Sequence, residues 1–489
     1  MATDITSTPD HHIRPARAFT RNQAVFLLAI LAGATVLRFV QLGRESLWFD
    51  EVVTMRLARA DGPKALISLL DQIDATRAPL HPLLLQGWIS AFGPSDASGR
   101  AFSVVCGVGT VLLAFAIGRK AFDAGTGLWA AWFCAWSPLL VMYSREARMY
   151  AWMVFLTSAC WWLLFTFSDA LRGPKGGIWP RVAYVLGLVA LILSHPLGLL
   201  MVAALGLASL IDRRAYGLTL KGWLLLHGAA GLLVLGWIPK YLDHPPSYIV
   251  GRLPIRFLFG LPIGFVGGDF RVLAACSAVI GFGLWKDHRS RVEGESEGEP
   301  GPQAAITRSL LIWFAVSPLL LYGYSWSTHP IFGPARYTLF VGPAYLLLLA
   351  RGVGRLPWQA RIVVAGGLLA VAISLLQSMA YAPGIKADWR SAAAYLKQHD
   401  PTAAVVVLNA RVDAARYYLG AERTVLPPPE KIDVRPEIGA SRVWYAHERQ
   451  AERPLTALPR FLVESRDRQT TVDFPGLRLI WEQPTPGPR

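Results

Sequence analysis

Charge is scarce in this 489-residue chain: Asp, Glu, Lys and Arg together make up 17%, against about 25% in a soluble domain of average composition. With 53% hydrophobic residues and a mean hydropathy of +0.37, that deficit excludes an ordinary soluble globule and points to an integral membrane protein. Cysteine is scarce too. Cys106, Cys134, Cys160 and Cys276 lie widely spaced inside apolar runs, without a CxxC pair or His partners, which argues against disulfides and thiolate metal sites. Met1 to Arg21 is polar and no small-residue cleavage site follows the first apolar run, so the first span is expected to be retained. No convincing internal repeat is present, and an inverted-repeat transporter would show paired broken helices in its two halves.

What the chain has in abundance is long apolar runs and aromatic rings. Runs long enough or nearly long enough to span lie at roughly 22–42, 101–119, 126–143, 150–168, 181–194, 196–211, 222–239, 271–286, 308–327, 336–351 and 361–382, about eleven spans in all. The 18 Trp suit the many membrane interfaces of such a chain. The two runs around Ser194-His195-Pro196 are short, and fit either two short helices meeting at a turn or one broken element.

The formal net charge of +15 is explained by loops rather than by a nucleic-acid partner. Arg14, Arg17 and Arg21 precede the first span; Arg119 and Lys120, then Arg172, Lys175 and Arg181, then Arg213, Arg214 and Lys221, then Lys286, Arg289 and Arg291, then Arg351, Arg355 and Arg361 occupy every second loop. The positive-inside bias then places residues 1–21 in the cytoplasm, as the tail preceding a transmembrane domain over 22–385. The opposite face receives the first outer loop, 43–100, the SREARMY turn, His195, the THPIFGPA loop and the carboxy-terminal residues 386–489. The insert RVEGESEGEPGPQ reads as a linker. From Lys386 onward the composition is that of a small α/β domain. DWRSAAAYLKQH and ARYYL have helical character, while AAVVVLN, SRVWYA and LRLIWE read as strands.

Candidate chemistry gathers on that outer face. Asp50 and Glu51, in SLWFDEVVT, follow the first span by a few residues behind an aromatic fence. An acidic pair can open a helix and gain about 0.3–1 kcal/mol from its dipole. A carboxylate kept partly dry at a membrane edge is also a candidate base for an acceptor hydroxyl. In TRAPLHPLLLQGW, Arg77 suits a phosphate or a headgroup, and His81 a relay or an ordinary polar contact. SREARMY sets Arg145, Glu146, Arg148 and Tyr150 in one turn, with Glu146 either paired to an Arg or a helper carboxylate. His195 sits at the helix break, and Arg336-Tyr337 opens a span at headgroup level. Arg38, inside the first span, is near enough in sequence to pair with Asp50 and orient the acidic loop. Carboxylates near phosphate could hold a divalent cation, but no ligand spacing demands one.

The run from Arg38 through SLWFDE, then APLHPLLLQGW, SPLLVMYSREARMYAW, SHPLGLL, PARYTLF and DWRSAAAYL, resembles the bacterial members of the protein mannosyltransferase-like superfamily. These are glycosyltransferase family 39-type membrane enzymes of the GT-C fold, related to the aminoarabinose transferases. The resemblance implies an inner-membrane enzyme that takes a sugar from a polyprenyl-phosphate carrier and passes it to a hydroxyl of a lipid, glycan or protein. Transfer would occur on the periplasmic face with inversion. It puts Asp50 in the place of the catalytic acid, Glu51 beside it, Glu146 or Arg148 where relatives carry a second acidic residue, and Arg336 near the donor phosphate. The common His-Pro-Pro-Leu-Tyr form is replaced by Arg77-Ala78-Pro79-Leu80-His81, which puts His-based metal ligation there in doubt. The competing class is a secondary transporter or lipid-linked sugar flippase. Such a protein would place its ionisable groups near the bilayer midplane rather than at one edge.

Overall fold

In the computed structural model, residues 19–74, 76–172, 178–242, 252–292, 302–333, 335–381, 386–408, 412–425, 442–448 and 469–482 are described, with isolated positions between 462 and 467. Arg14, Arg17, Lys175 and most of the RVEGESEGEPGPQ insert lie outside them. The helices run in the order α1 (Arg21–Phe39), α2 (Phe49–Ala58), α3 (Gly62–Ile73), α4 (Leu80–Phe92), α5 (Asp96–Ala121), α6 (Ala124–Trp136), α7 (Pro138–Tyr143) and α8 (Tyr150–Arg172). Next come α9 (Trp179–Ser194), α10 (Gly198–Ile211), α11 (Leu220–Val234), α12 (Ile238–Leu242), α13 (Arg256–Gly260), α14 (Ile263–Val266), α15 (Phe270–Val292) and α16 (Pro302–Ser327). A 3-10 turn (Ala335–Val341) leads into α17 (Gly342–Gly354), followed by α18 (Trp358–Met379), α19 (Trp389–His399) and α20 (Val412–Leu419).

Helix starts carry local caps: Thr20, Ser95 and Asp123 each accept a backbone N–H with the side chain, as exposed helix N-termini require. Pro138 ends α6 and opens α7, which breaks the apolar run 126–143 into two pieces. Glycine lets α5 and α6 approach closely. A Cβ on Gly118 would come 2.8 Å from Gly127 Cα.

The span count is lower than the eleven apolar runs. Among the described residues six helices are long and apolar enough to cross, or seven if α13–α14 and α15, bent by 88°, count as one broken span. Helices α9, α10 and α11 have 16, 14 and 15 residues. At about 1.5 Å per residue none matches a hydrocarbon core about 30 Å thick. Hydrophobicity is a property of composition, whereas crossing needs unbroken length. His195 separates α9 from α10 in extended conformation, so this region is two short helices meeting at a turn.

The segment between α1 and α5 folds into α2, α3 and α4 and shares one apolar core with the carboxy-terminal residues. Leu47, Val52 and Met55 pack in the same cluster as Trp389, Leu396 and Val405. Polar contacts reinforce the junction: Tyr418 accepts the Leu47 N–H at 2.7 Å, Arg56 pairs with Asp413 at 2.7 Å, and Arg390 pairs with Asp96 at 2.5 Å. The acidic doublet and the carboxy-terminal residues therefore lie on one side of the helical bundle. The sheet comprises β1 (Ala404–Val407), β2 (Thr424–Val425), β3 (Val443–Glu448), β4 (Gln469–Phe474) and β5 (Leu477–Glu482), in the order β2-β1-β3-β5-β4. Strands β1, β2 and β3 are parallel, and β5 runs antiparallel to β3 and β4. The strands read from AAVVVLN, SRVWYA and LRLIWE are β1, β3 and β5.

Candidate active site

Helix α2 begins with the aromatic fence, and its first turn carries both carboxylates. Successive residues on a helix point about 100° apart, and the two acids part company. Glu51 is fully buried, with 0% exposure. Arg100 grips it with two bonds, Nε to Oε1 at 2.8 Å and Nη2 to Oε2 at 2.9 Å. Lys386 Nζ donates to Oε2 at 2.9 Å and the Ala147 N–H to Oε1 at 2.9 Å. Burial alone would raise its pKa, but the charges of Arg100 and Lys386 outweigh burial and hold it well below the usual carboxylate range. Its oxygens are thus engaged in holding α2 to α5, to the SREARMY turn and to Lys386.

Asp50 faces a different group of residues, and its side chain keeps 21% of its surface exposed. Arg336 Nη1 stands 4.0 Å from Asp50 Oδ2. Arg148, itself buried, donates through Nη1 to the Asp50 carbonyl at 3.1 Å and to Thr54 Oγ1 at 2.7 Å. Rings floor the site. Arg336 lies 5.7 Å from the Trp48 ring and 5.4 Å from that of Tyr337, and Arg148 lies 5.8 Å from the Tyr150 ring. His195 is 6.5 Å from Tyr337, ring to ring. Its Nδ1 accepts the Leu197 N–H at 3.0 Å, which assigns the proton of a neutral ring to Nε2.

His81 is buried against Phe102, and burial together with the charge of Arg148 pushes it down to about 3, so it is neutral at ordinary pH. Arg77 adopts φ 48°, a left-handed conformation that costs a non-glycine residue about 1 kcal/mol or more. It is held there by Trp237, whose ring N–H donates to the Arg77 carbonyl at 3.0 Å, and by its own N–H on the Asp74 carbonyl at 3.1 Å.

Two placements differ from the sequence reading. Arg38 does not reach Asp50. Its guanidinium donates to the carbonyls of Ala34, Cys134 and Ala135 at 3.0–3.2 Å, covering the last turn of α6. A buried cation finds helix-end carbonyls an adequate partner. Glu146 meets Lys386 rather than an Arg, at 3.9 Å, and lines a cleft with Arg44 and Arg145. Burial pushes its carboxyl up to about 7, with Lys386 opposing and Glu51 and Asp50 adding to the rise.

Sequence reasoning passed over Arg100, Lys386, Thr54 and Asp74. Asp74, whose carboxylate accepts from Thr76, is an electrostatic neighbour of Arg148, and its place three residues before Arg77 was the available signal. Among the described residues no group of three His, Cys, Asp or Glu stands ready to hold a metal ion. What the geometry offers is a half-open carboxylate flanked by two guanidinium groups. That arrangement can accept a proton and steady a developing anion.

The family model for dolichyl-phosphate-mannose-protein mannosyltransferases matches residues 76–238. That segment carries Arg77, His81, Glu146, Arg148, Tyr150 and His195, while Asp50 and Arg336 fall outside it. Comparison with curated protein sequences gives no match. Among solved structures, ArnT from Cupriavidus metallidurans bound to undecaprenyl phosphate is 12% identical, with a TM-score of 0.61, covering 94% of this chain and 98% of that one. The arabinofuranosyltransferase AftD from Mycobacteria is 16% identical with a TM-score of 0.55, covering 96% of this chain and 40% of that one. The oligosaccharyltransferase AglB from Archaeoglobus fulgidus, in complex with an inhibitory peptide and a dolichol-phosphate, is 10% identical with a TM-score of 0.52, covering 83% and 64%. The chain is a multi-pass membrane protein that shares its fold with these glycosyltransferases, and its residues 76–238 are similar to the mannosyltransferase family.

Proposed function

We propose that this chain transfers a sugar from a polyprenyl-phosphate carrier to a hydroxyl acceptor, with Asp50 as the general base and the reaction on the extracytoplasmic face of the inner membrane. The observation that carries the reading is that the Asp50 carboxylate lies beside Arg336, with Arg148 on the Asp50 main-chain carbonyl, while Glu51 is consumed by Arg100 and Lys386. Of the two adjacent acids, Asp50 alone keeps an exposed carboxylate beside groups suited to phosphate.

The acceptor oxygen attacks the anomeric carbon from the side opposite the sugar–phosphate bond and its proton passes to Asp50. The bonding pair leaves with the phosphate oxygen, so the anomeric configuration inverts. Negative charge grows on the phosphate, and Arg336, Arg148 and Arg77 stabilise it in a site screened from water by Trp48, Tyr150 and Tyr337. Tyr337 and the neutral His195 ring line the donor side. The carrier specificity draws support from the fold shared with ArnT, which is bound to undecaprenyl phosphate.

The test supplies membranes holding the full chain with labelled polyprenyl-phosphate sugars and an extract of acceptor lipids and glycans. Label moving from one donor, and lost in Asp50→Asn at equal protein level, is the expected result. Undiminished transfer by Asp50→Asn overturns the assignment of the base.

A further inference from the structure

A second polar cleft lies beside the partners of Glu51, and Asp50 is not among its lining residues. Arg44, Glu45, Arg100, Arg145, Glu146 and Lys386 line it. It continues into an apolar groove between α1 and α18, lined by Val36, Leu37, Val40 and Trp136, and the two share Gln41, Arg44 and Tyr381. Both helices of the groove are largely unpacked, with 17% of each spanning window buried. The groove therefore opens toward acyl chains while the cleft sits at headgroup depth.

The polar end has two separate demands. At the junction stand the guanidinium groups of Arg44, exposed, and of Arg145, which ties Nη1 to the carbonyls of Arg38 and Val40 and stacks 4.6 Å from the Tyr381 ring. Arg100 and Lys386 are already engaged with Glu51, so Arg44 and Arg145 are the cations placed to meet an anion. Deeper in, Glu146 Oε2 is buried without a hydrogen-bond partner among the described residues. A buried carboxylate oxygen left this way is costly, and a donor group would remove that cost. An anion alone cannot supply one. A head that carries a phosphate beside an N–H cation satisfies both ends.

We propose that the cleft and groove together bind one phospholipid with a primary ammonium head, a phosphoethanolamine lipid. Its acyl chain lies between α1 and α18, its phosphate is held by Arg44 and Arg145, and its ammonium donates to Glu146. A choline head lacks the N–H, and a glycerol head lacks the second charge. Desolvation holds the Glu146 carboxyl high, and an ammonium beside it would restore its ionised form. Asp50 is not among the residues that line this site, and the inference does not rest on the transfer reaction above.

Native mass spectrometry of the full chain in detergent, titrated separately with phosphatidylethanolamine, phosphatidylcholine and phosphatidylglycerol, tests it. The expected result is retention of phosphatidylethanolamine about tenfold or more tighter than the other two. Glu146→Gln should erase that preference, and Arg44→Gln should weaken phosphatidylethanolamine binding about threefold or more. Equal retention of the three lipids, a preference for phosphatidylglycerol, or an unaltered preference in Glu146→Gln overturns the proposal. The comparison of lipids on the wild type stands by itself if either variant fails to fold.

Discussion

Arg100 and Glu51 face each other through two parallel hydrogen bonds at 2.8 and 2.9 Å, with side-chain exposures of 3% and 0%. Neither group meets bulk water. A pair of this kind is costly to assemble, yet removing one member leaves the other charged and uncompensated, at about 3–5 kcal/mol. Glu51→Gln is therefore expected to lower the unfolding temperature in detergent and to reduce transfer in parallel. A variant that melts like the wild type but has lost transfer would assign Glu51 to the chemistry instead.

Asp50→Asn is expected to behave in the opposite way. Its carboxylate has no comparable grip on the fold, so the melting temperature should hold, while the rate falls about 10²–10⁴-fold, the range for loss of a general base. Initial rates at saturating donor, measured beside a melting curve on the same preparation, separate the two residues.

Arg336→Ala removes one guanidinium from the leaving-group side and should slow transfer about 10²–10³-fold. Arg336→Lys keeps the charge but loses the planar fork and the stacking on Trp48 and Tyr337, so recovery should be partial. Single-turnover assays with bound donor read this directly. Full activity in Arg336→Ala would remove it from the phosphate site.

Glu146 introduces a pH dependence of stability. Its folded-state carboxyl sits at about 7 against an ordinary 4.5, so between those values the folded chain holds the proton more firmly than the unfolded one. The stabilisation is complete below about pH 4.5 and is lost as pH rises through 7. Comparing melting temperatures of the wild type and Glu146→Gln from pH 5 to 8 should show the variant gaining on the wild type as pH rises. A constant difference across that range would refute the buried, protonated carboxyl.

Much of this arrangement can be read from the chain and part of it cannot. The aromatic fence before Asp50-Glu51, the three-charge SREARMY turn and the β-branched AAVVVLN stretch announce themselves because each breaks sharply with neighbouring composition. Which of two adjacent acids is buried does not, since that choice depends on Arg100 and Lys386, 49 and 335 residues away from Glu51. Arg38 misled for a related reason: proximity in sequence suggested an acidic partner, whereas the carbonyls of Cys134 and Ala135 stand closer in space. Helix length was not legible either: α9, α10 and α11 are as apolar as the longer helices yet have 16, 14 and 15 residues.

The common core of Leu47, Val52 and Met55 with Trp389, Leu396 and Val405 means that these two pieces cannot be exchanged or trimmed independently. A protein cut after α18 would present a greasy, water-facing patch right beside the Asp50-Glu51 doublet, and α2 would lose the surface that keeps it in register. The terminal residues act as the lid of a box whose walls stay upright only while it is closed.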